Sequence, residues 1–326
     1  MSISSEITRL QNAKASIKTS IENKGVTVPS STKLDGYSTL IDGISAGYSE
    51  DLIKNYIQRS NSFTSFTIPS TQTEIGRYAF AVCSKLNNIT IPSNVKFIGA
   101  YAFYHCTSLT SLTLPSSVRS IGENAFSGCT GLTSINIPTG VTTINSSCFY
   151  QCTSLTSLTL PNTITTIYGD AFSNSGLTSI TIPNTVTTIY GINHFRSCTN
   201  LTSLTLPTNT YFHNIPSYFA ESTGLTSITF PSNITKIGSC AFQNCTGLTS
   251  ITIPDTIATI EGNAFANCSN LTSITVNRTT PPAIFSNTFN NTNNCPIYVP
   301  SESVDTYKAT LYWKNLASRI QAIPVE

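Results

Sequence analysis

The sequence predicts a repeat solenoid: a β-rich, right-handed coil of about ten repeats of 22–25 residues. Three observations predict it. "LTSLTLPSSVRSIGENAFSGCTG" at Leu109–Gly131 returns almost letter for letter as "LTSITIPDTIATIEGNAFANCSN" at Leu248–Asn270. Copies begin at Phe63, Leu86, Leu109, Leu132, Leu155, Leu177, Leu201, Leu225, Leu248 and Leu271. Within each copy the apolar residues keep one spacing, and a proline closes the first apolar run.

The consensus L-T-S-[LI]-T-[LI]-P-x-x-[VI]-T-x-I-x-x-x-A-F-x-x-C-T-x explains each element of a coil. Apolar residues at positions 1, 4 and 6 turn one stripe of a short extended segment inward, the LxxLxL mark of a leucine-rich coil. Pro at position 7 ends that strand because it lacks a ladder donor. Positions 10 and 13, Val118 and Ile121 in one copy, form a second inward pair, and the following Ala125-Phe126 plugs the far side. A lone coil buries too few side chains to fold. A stack succeeds because each coil bonds and packs against its neighbours. At about 4.8 Å per strand, ten coils span on the order of 45 Å.

Seven cysteines share position 21: Cys83, Cys106, Cys129, Cys152, Cys198, Cys245 and Cys268. Ser175 and Ser222 fill the column elsewhere. Cysteine behaves in such a place as a small hydrophobe. Stacked neighbours lie within disulfide reach, but a chain made in a reducing compartment keeps a ladder of thiols. Cys148 stands where other copies have Ala, a packing position, and no paired C-x-x-C set suggests zinc. No metal and no cofactor are expected.

Two outward surfaces are candidates for binding. Positions 3 and 5 read Ser-x-Thr, as in Ser111/Thr113, Ser157/Thr159, Ser203/Thr205 and Ser250/Thr252, with Thr229 in the same rank. Stacked, they form a concave hydroxyl face. It either reflects strand propensity and solubility or offers a lattice to glycan or ice. Departures from uniformity carry more information. The copies at Leu177 and Leu201 are lengthened, and around them gather Tyr168, Tyr190, His194, Tyr211, Phe212, His213 and Tyr218. Rigidly held aromatics suit contact surfaces, and the alternative is an internal repacking around the insertion. A smaller group, Arg77, Tyr78, Tyr101, Tyr104 and His105, sits in the first two copies. His194 and His213 have no obvious carboxylate or nucleophile beside them, and "GYSTLIDG" lacks a phosphate-loop lysine, so no catalytic residue is assigned and no enzyme is expected.

Composition narrows the partners. Only 10% of residues are charged and the net charge is +2, which gives no basic field for nucleic acid. No run approaches a membrane span, and the polar N-terminus shows no secretory h-region. Four regions follow: a helical attachment or oligomerisation module at 1–45, a linker and N-terminal cap helix at 46–62, the solenoid at 63–295, and a strand-and-helix cap at 296–326. In the first, Ile3, Ile7, Leu10, Ile17 and Ile21 alternate in heptad fashion, with Lys14 in the seam. In the last, Trp313 is expected to seal the final coil with Tyr307, Leu311 and Leu316, on a helix opened by Ser301 or Ser303.

"LTSLTLPSSVRSIGENAFSGC" and its sister copies resemble the BspA-like leucine-rich repeat family of bacterial and phage-borne surface proteins. The resemblance implies adhesion to proteins or cell surfaces. "EITRLQNAKASIKTSIENKGVTVP" and "KLDGYSTLIDGI" resemble a small module at the start of tail and fibre-like phage proteins of gut bacteria. Together they imply a phage virion-associated binding protein that recognises a bacterial surface protein or glycan through the solenoid. Residues 1–45 would join it to virion proteins or to its own copies, and a virion protein needs no signal peptide. The alternatives are a BspA-like adhesin on the bacterial cell surface, and a glycan or ice binder using the Ser/Thr ranks.

Overall fold

The structure is a computed structural model and describes residues 64–325. The expected module at 1–45, with its seam of Ile3, Ile7, Leu10, Ile17 and Ile21, and the expected cap helix at 46–62 lie outside the described residues.

The chain winds as a β-solenoid of about eleven turns, one more than the ten copies counted. Most coils carry two short strands that pair in parallel with the same strands of neighbouring coils, while those at Leu155 and Leu225 keep only the second. In the leading sheet Ser65 pairs with Asn88, Ser111 with Ser134 and Ser250 with Ser273, each a step of 23 residues. In the second sheet Glu74 pairs with Phe97, Phe97 with Ser120, and Thr143 with Thr166. The remainder of the coil, around the Ala-Phe pair, forms a third ladder. There the Tyr101, Phe103 and His105 amides donate to the Glu123, Ala125 and Ser127 carbonyls of the next coil at 2.9, 2.8 and 2.8 Å. Intervening amides close tight turns, such as Ala102 to Gly99 at 3.2 Å. The alternation puts the first and last donors of this ladder at positive φ, as at Asn124 (54°) and Gly128 (73°).

Leu109, Leu112, Leu114, Val118, Ile121, Ala125, Phe126 and Cys129 of one coil are all buried. Their equivalents join one continuous apolar interior along the solenoid. Phenylalanines run through it as a column. Phe80, Phe103, Phe126, Phe149, Phe172 and Phe195 stack at 5.2–6.0 Å with planes within 13°. Stacking resumes at Phe242, Phe265 and Phe289. Such ring pairs add about 0.5–1.5 kcal/mol each beyond the burial of their area.

Much of the Thr, Ser and Asn content binds coil to coil. At position 2, Thr133 and Thr272 donate to the Thr110 and Thr249 carbonyls at 2.8 and 2.9 Å. At position 9, Ser117, Thr163 and Thr185 donate to the Val95, Val141 and Ile164 carbonyls at 2.6–2.8 Å. The cysteine column does the same inside. The Cys106, Cys129 and Cys198 thiols donate to the Phe80, Phe103 and Phe172 carbonyls, each at 3.0 Å. All ten cysteines are free and buried. Thr223, and not Ser222, holds the column position in the coil at Leu201: it is buried, contacts Cys245 at 3.2 Å and donates to the Ala220 carbonyl. Ser222 takes the positive-φ place before it.

At the C-terminal end the strand Ile297–Val299 joins the leading sheet, and Ile320–Ala322 pairs beyond it. Between them lie a 3-10 turn at Ser301–Ser303, a helix at Val304–Ala309 and a 3-10 helix at Trp313–Arg319. Buried Trp313 continues the ring column 5.9 Å from Phe289 and meets Tyr307 edge to face at 4.9 Å. The indole N–H and the Tyr307 hydroxyl donate to the Pro282 and Arg278 carbonyls, both at 2.7 Å. Leu311, expected in this seal, is 63% exposed. Ser303 precedes the helix without a side-chain capping bond.

Candidate binding surfaces

The hydroxyl ranks point outward from the leading sheet. Thr113, Thr159, Thr205, Thr229 and Thr252 are all exposed. Asn136 takes the same place in the coil at Leu132, where its side-chain amide exchanges two hydrogen bonds with the Leu114 backbone at 2.8 and 2.9 Å.

The aromatic group around the lengthened coils divides into surface and interior. Tyr168 and Tyr190 stack at 5.4 Å and are 36% and 55% exposed. Tyr211 is 71% exposed, and His213 is exposed with its ring nitrogen 3.1 Å from the Asn233 carbonyl. Two expected surface residues belong to the core. Phe212 is buried because the added residues shift it into the inward place that Val118 holds in a regular coil. His194 is fully buried in the column that Ala125 and Ala171 occupy elsewhere.

His194 is the electrostatic oddity of the interior. One ring nitrogen lies 3.0 Å from the Tyr190 carbonyl, and Nδ1 has no partner. Burial pushes its pKa down to about 4, so the ring is neutral at pH 7. Beside it the coil order is reversed to Phe219-Ala220, and the Phe219 ring lies 5.6 Å from the imidazole. Outside this joint Arg196 pairs with Glu221 at 2.8 Å and lies over the half-buried Tyr218 ring at 5.8 Å. Asp170 is held above its ordinary pKa chiefly by burial, with Asn193 and Arg196 pulling it back. The Arg196–Glu221 pair and the 44% exposed Ile192 escaped the sequence reading. The lengthening beside them was the only signal.

The smaller group in the first coils is a connected cluster. Tyr78 and Tyr101 stack at 4.7 Å, with the Arg77 guanidinium 5.1 and 5.7 Å from their centroids. Tyr104 meets Tyr101 edge-on at 5.5 Å, and His105 meets Tyr104 at 4.3 Å.

The column thiols Cys83, Cys129, Cys198 and Cys245 are weak nucleophiles. Burial pushes Cys83 up to about 12 and Cys198 and Cys245 up to about 11, and raises Cys129 well above the ordinary thiol range. A protonated thiol is the unreactive form. Among the described residues, no three His, Cys, Asp or Glu side chains are grouped to hold a metal ion, and no helix is long and apolar enough to cross a membrane.

Parallel coils around one apolar interior, with departures from uniformity gathered at the lengthened coils, define a leucine-rich solenoid of the binding type. The chain belongs to the BspA type leucine rich repeat region family, whose model matches residues 51–176, 131–247 and 213–320. Among solved structures it is similar to a leucine-rich repeat protein from Bacteroides ovatus, at 25% identity and TM-score 0.51, covering 82% of this chain and 85% of that one. It is also similar to the pneumococcal vaccine antigen PcpA, at 21% identity and TM-score 0.53, covering 81% and 69%. A leucine rich cell surface protein from Faecalibacterium prausnitzii aligns at 28% identity and TM-score 0.47, over 83% and 86%. No curated protein matches the chain.

Proposed function

We propose that the protein is a non-enzymatic adhesin that holds a macromolecule of a cell surface through the lengthened coils at Leu177 and Leu201. The exposure of Tyr190 and Tyr211, at 55% and 71%, carries this reading. A uniform array selects no partner, whereas tyrosines on a rigid scaffold give large contact area at low entropic cost. Membership of the family and the adhesion that its resemblance implies support the same role and a cell-surface location. The virion reading rests on residues 1–45, outside the described residues, and the adhesin is preferred to it. The test is binding of fluorescently labelled full-length protein to a panel of intact bacteria by flow cytometry. Tyr190→Ala and Tyr211→Ala should weaken binding at least tenfold with folding intact. Loss on Thr159→Tyr and Thr205→Tyr alone would move the contact to the hydroxyl ranks.

A further inference from the structure

We propose a second binding site, for a carboxylated sugar of the hexuronate kind, on the Arg77–Tyr78–Tyr101–Tyr104–His105 cluster. It lies in the first two described coils, away from the lengthened ones, and does not depend on the reading given to them.

The backbone points to it first. The first and last donors of the Ala-Phe ladder are at positive φ in successive coils, and small polar residues hold most of these places: Asn124, Ser147, Asp170, Asn174, Asn193, Ser197, Ser222, Asn244, Asn263 and Asn267. Asn, Asp and Gly tolerate that conformation, while bulky and β-branched residues are outliers there. The first two coils fill all four of these places with larger residues, Tyr78 (59°), Val82 (62°), Tyr101 (58°) and His105 (53°), whereas later coils do so only singly, at Gln151, Tyr218 and Cys240. His105 is placed with similar care. Its ring lies over Gly128, where an added Cβ would come 2.8 Å from the imidazole. Strain held at a surface cluster is the kind that marks a functional site.

Chemistry then selects the ligand. Arg77 is spread over two tyrosine rings, and among the described residues its side chain otherwise reaches only the Tyr78 hydroxyl at 3.5 Å and a Glu123 carboxylate oxygen at 3.9 Å. Its five-donor fork is therefore almost unspent, and such a fork matches a carboxylate. Among the described residues, the Tyr101 and Tyr104 hydroxyls and both His105 ring nitrogens have no hydrogen-bond partner. Ring surfaces interleaved with unspent donors and acceptors suit a ligand whose C–H faces alternate with hydroxyls, as in a pyranose. Charge agrees. Residues 64–131 hold Arg77, Lys85, Lys96 and Arg119 against Glu74 and Glu123, while residues 132–195 hold Asp170 alone. An anionic partner is favoured at this end.

The probes are polygalacturonate, neutral dextran and poly-L-glutamate, titrated calorimetrically into the full-length protein without divalent cations. Polygalacturonate should bind and the other two should not. Arg77→Gln and Tyr104→Ala should each weaken it at least tenfold at an unchanged urea midpoint, and Tyr211→Ala should leave it unaltered. Equal binding of poly-L-glutamate would replace the sugar by an acidic peptide or bare charge. Absence of polygalacturonate binding, or its indifference to both substitutions, would overturn the site.

Discussion

Phe195 and Phe219 meet edge to face, 5.4 Å apart with planes at 88°, whereas Phe172 and Phe195 just before them lie parallel within 7°. The cause is a two-letter exchange. Phe219-Ala220 replaces Ala-Phe, so the ring enters the neighbouring column beside His194. The second sheet also breaks here. Thr188–Ile189 pairs back to Thr166–Ile167, while Asn214–Ile215 pairs only forward, to Lys236–Ile237. In a solenoid, stability is a sum over neighbouring interfaces, and this interface has lost both a ring stack and a ladder.

The joint should therefore open first. Hydrogen exchange followed by mass spectrometry should show the amides between Tyr190 and Asn214 exchanging at least tenfold faster than those between Thr143 and Ile167. Equal protection of the two segments would mean that packing at the exchanged pair compensates fully.

His194 should make the protein acid-sensitive. Its folded pKa, about 4, lies below the unfolded value of about 6.5. Between these values the unfolded chain binds the extra proton, so stability rises with pH across the window and is lost as pH falls through it. The loss is on the order of 3 kcal/mol by pH 4. Urea midpoints at pH 7, 5.5 and 4.5 should show it, and His194→Ala should remove this component whatever its own stability.

The column thiols Cys83, Cys198 and Cys245 act at the opposite end of the scale. Their folded pKa values are raised, to about 12 at Cys83 and about 11 at Cys198 and Cys245. The unfolded chain therefore releases protons first, and stability falls as pH climbs above about 8.5. Urea midpoints at pH 7.5 and 9.5 check this. Cys129→Ser keeps a donor for the Phe103 carbonyl and should cost about 1 kcal/mol or less. Cys129→Val removes the donor and adds bulk, and should cost about 1–3 kcal/mol.

Val82 is 57% exposed at φ 62°. Val82→Asn should raise stability by about 1 kcal/mol, because Asn accepts this conformation and little packing is lost. A lower melting temperature for the variant would contradict the strain assigned to these places.

The interior was legible because a strict spacing can bury only one set of side chains. Leu109, Leu112, Leu114, Val118, Ile121, Phe126 and Cys129 follow directly from it. Legibility failed where the period changed. Phe212 and His194 read as surface because the added residues hide which letters remain in register. Matching Thr223 to the cysteine column would have carried Phe219 into the alanine column and disclosed the joint. Thr and Ser misled in a different way. Composition suggests solvation, but Thr133, Ser117 and Thr163 spend their hydroxyls on the preceding coil, and only neighbouring coils in place reveal that. Tyr78 and Tyr101 were recognisable as part of one group in the first two copies, whereas their stacking and the positive φ beneath it were not.

Near-identical coils share one interior and communicate only with their neighbours. Excising Leu132–Ser154 removes one coil and joins Gly131 to Leu155 in register. Circular dichroism with urea unfolding should show a β-rich, cooperatively unfolding protein with a lowered midpoint, while removal of 132–143 alone, which breaks register, should abolish folding. Loss of folding by the in-register deletion, or equal tolerance of both deletions, would contradict the account.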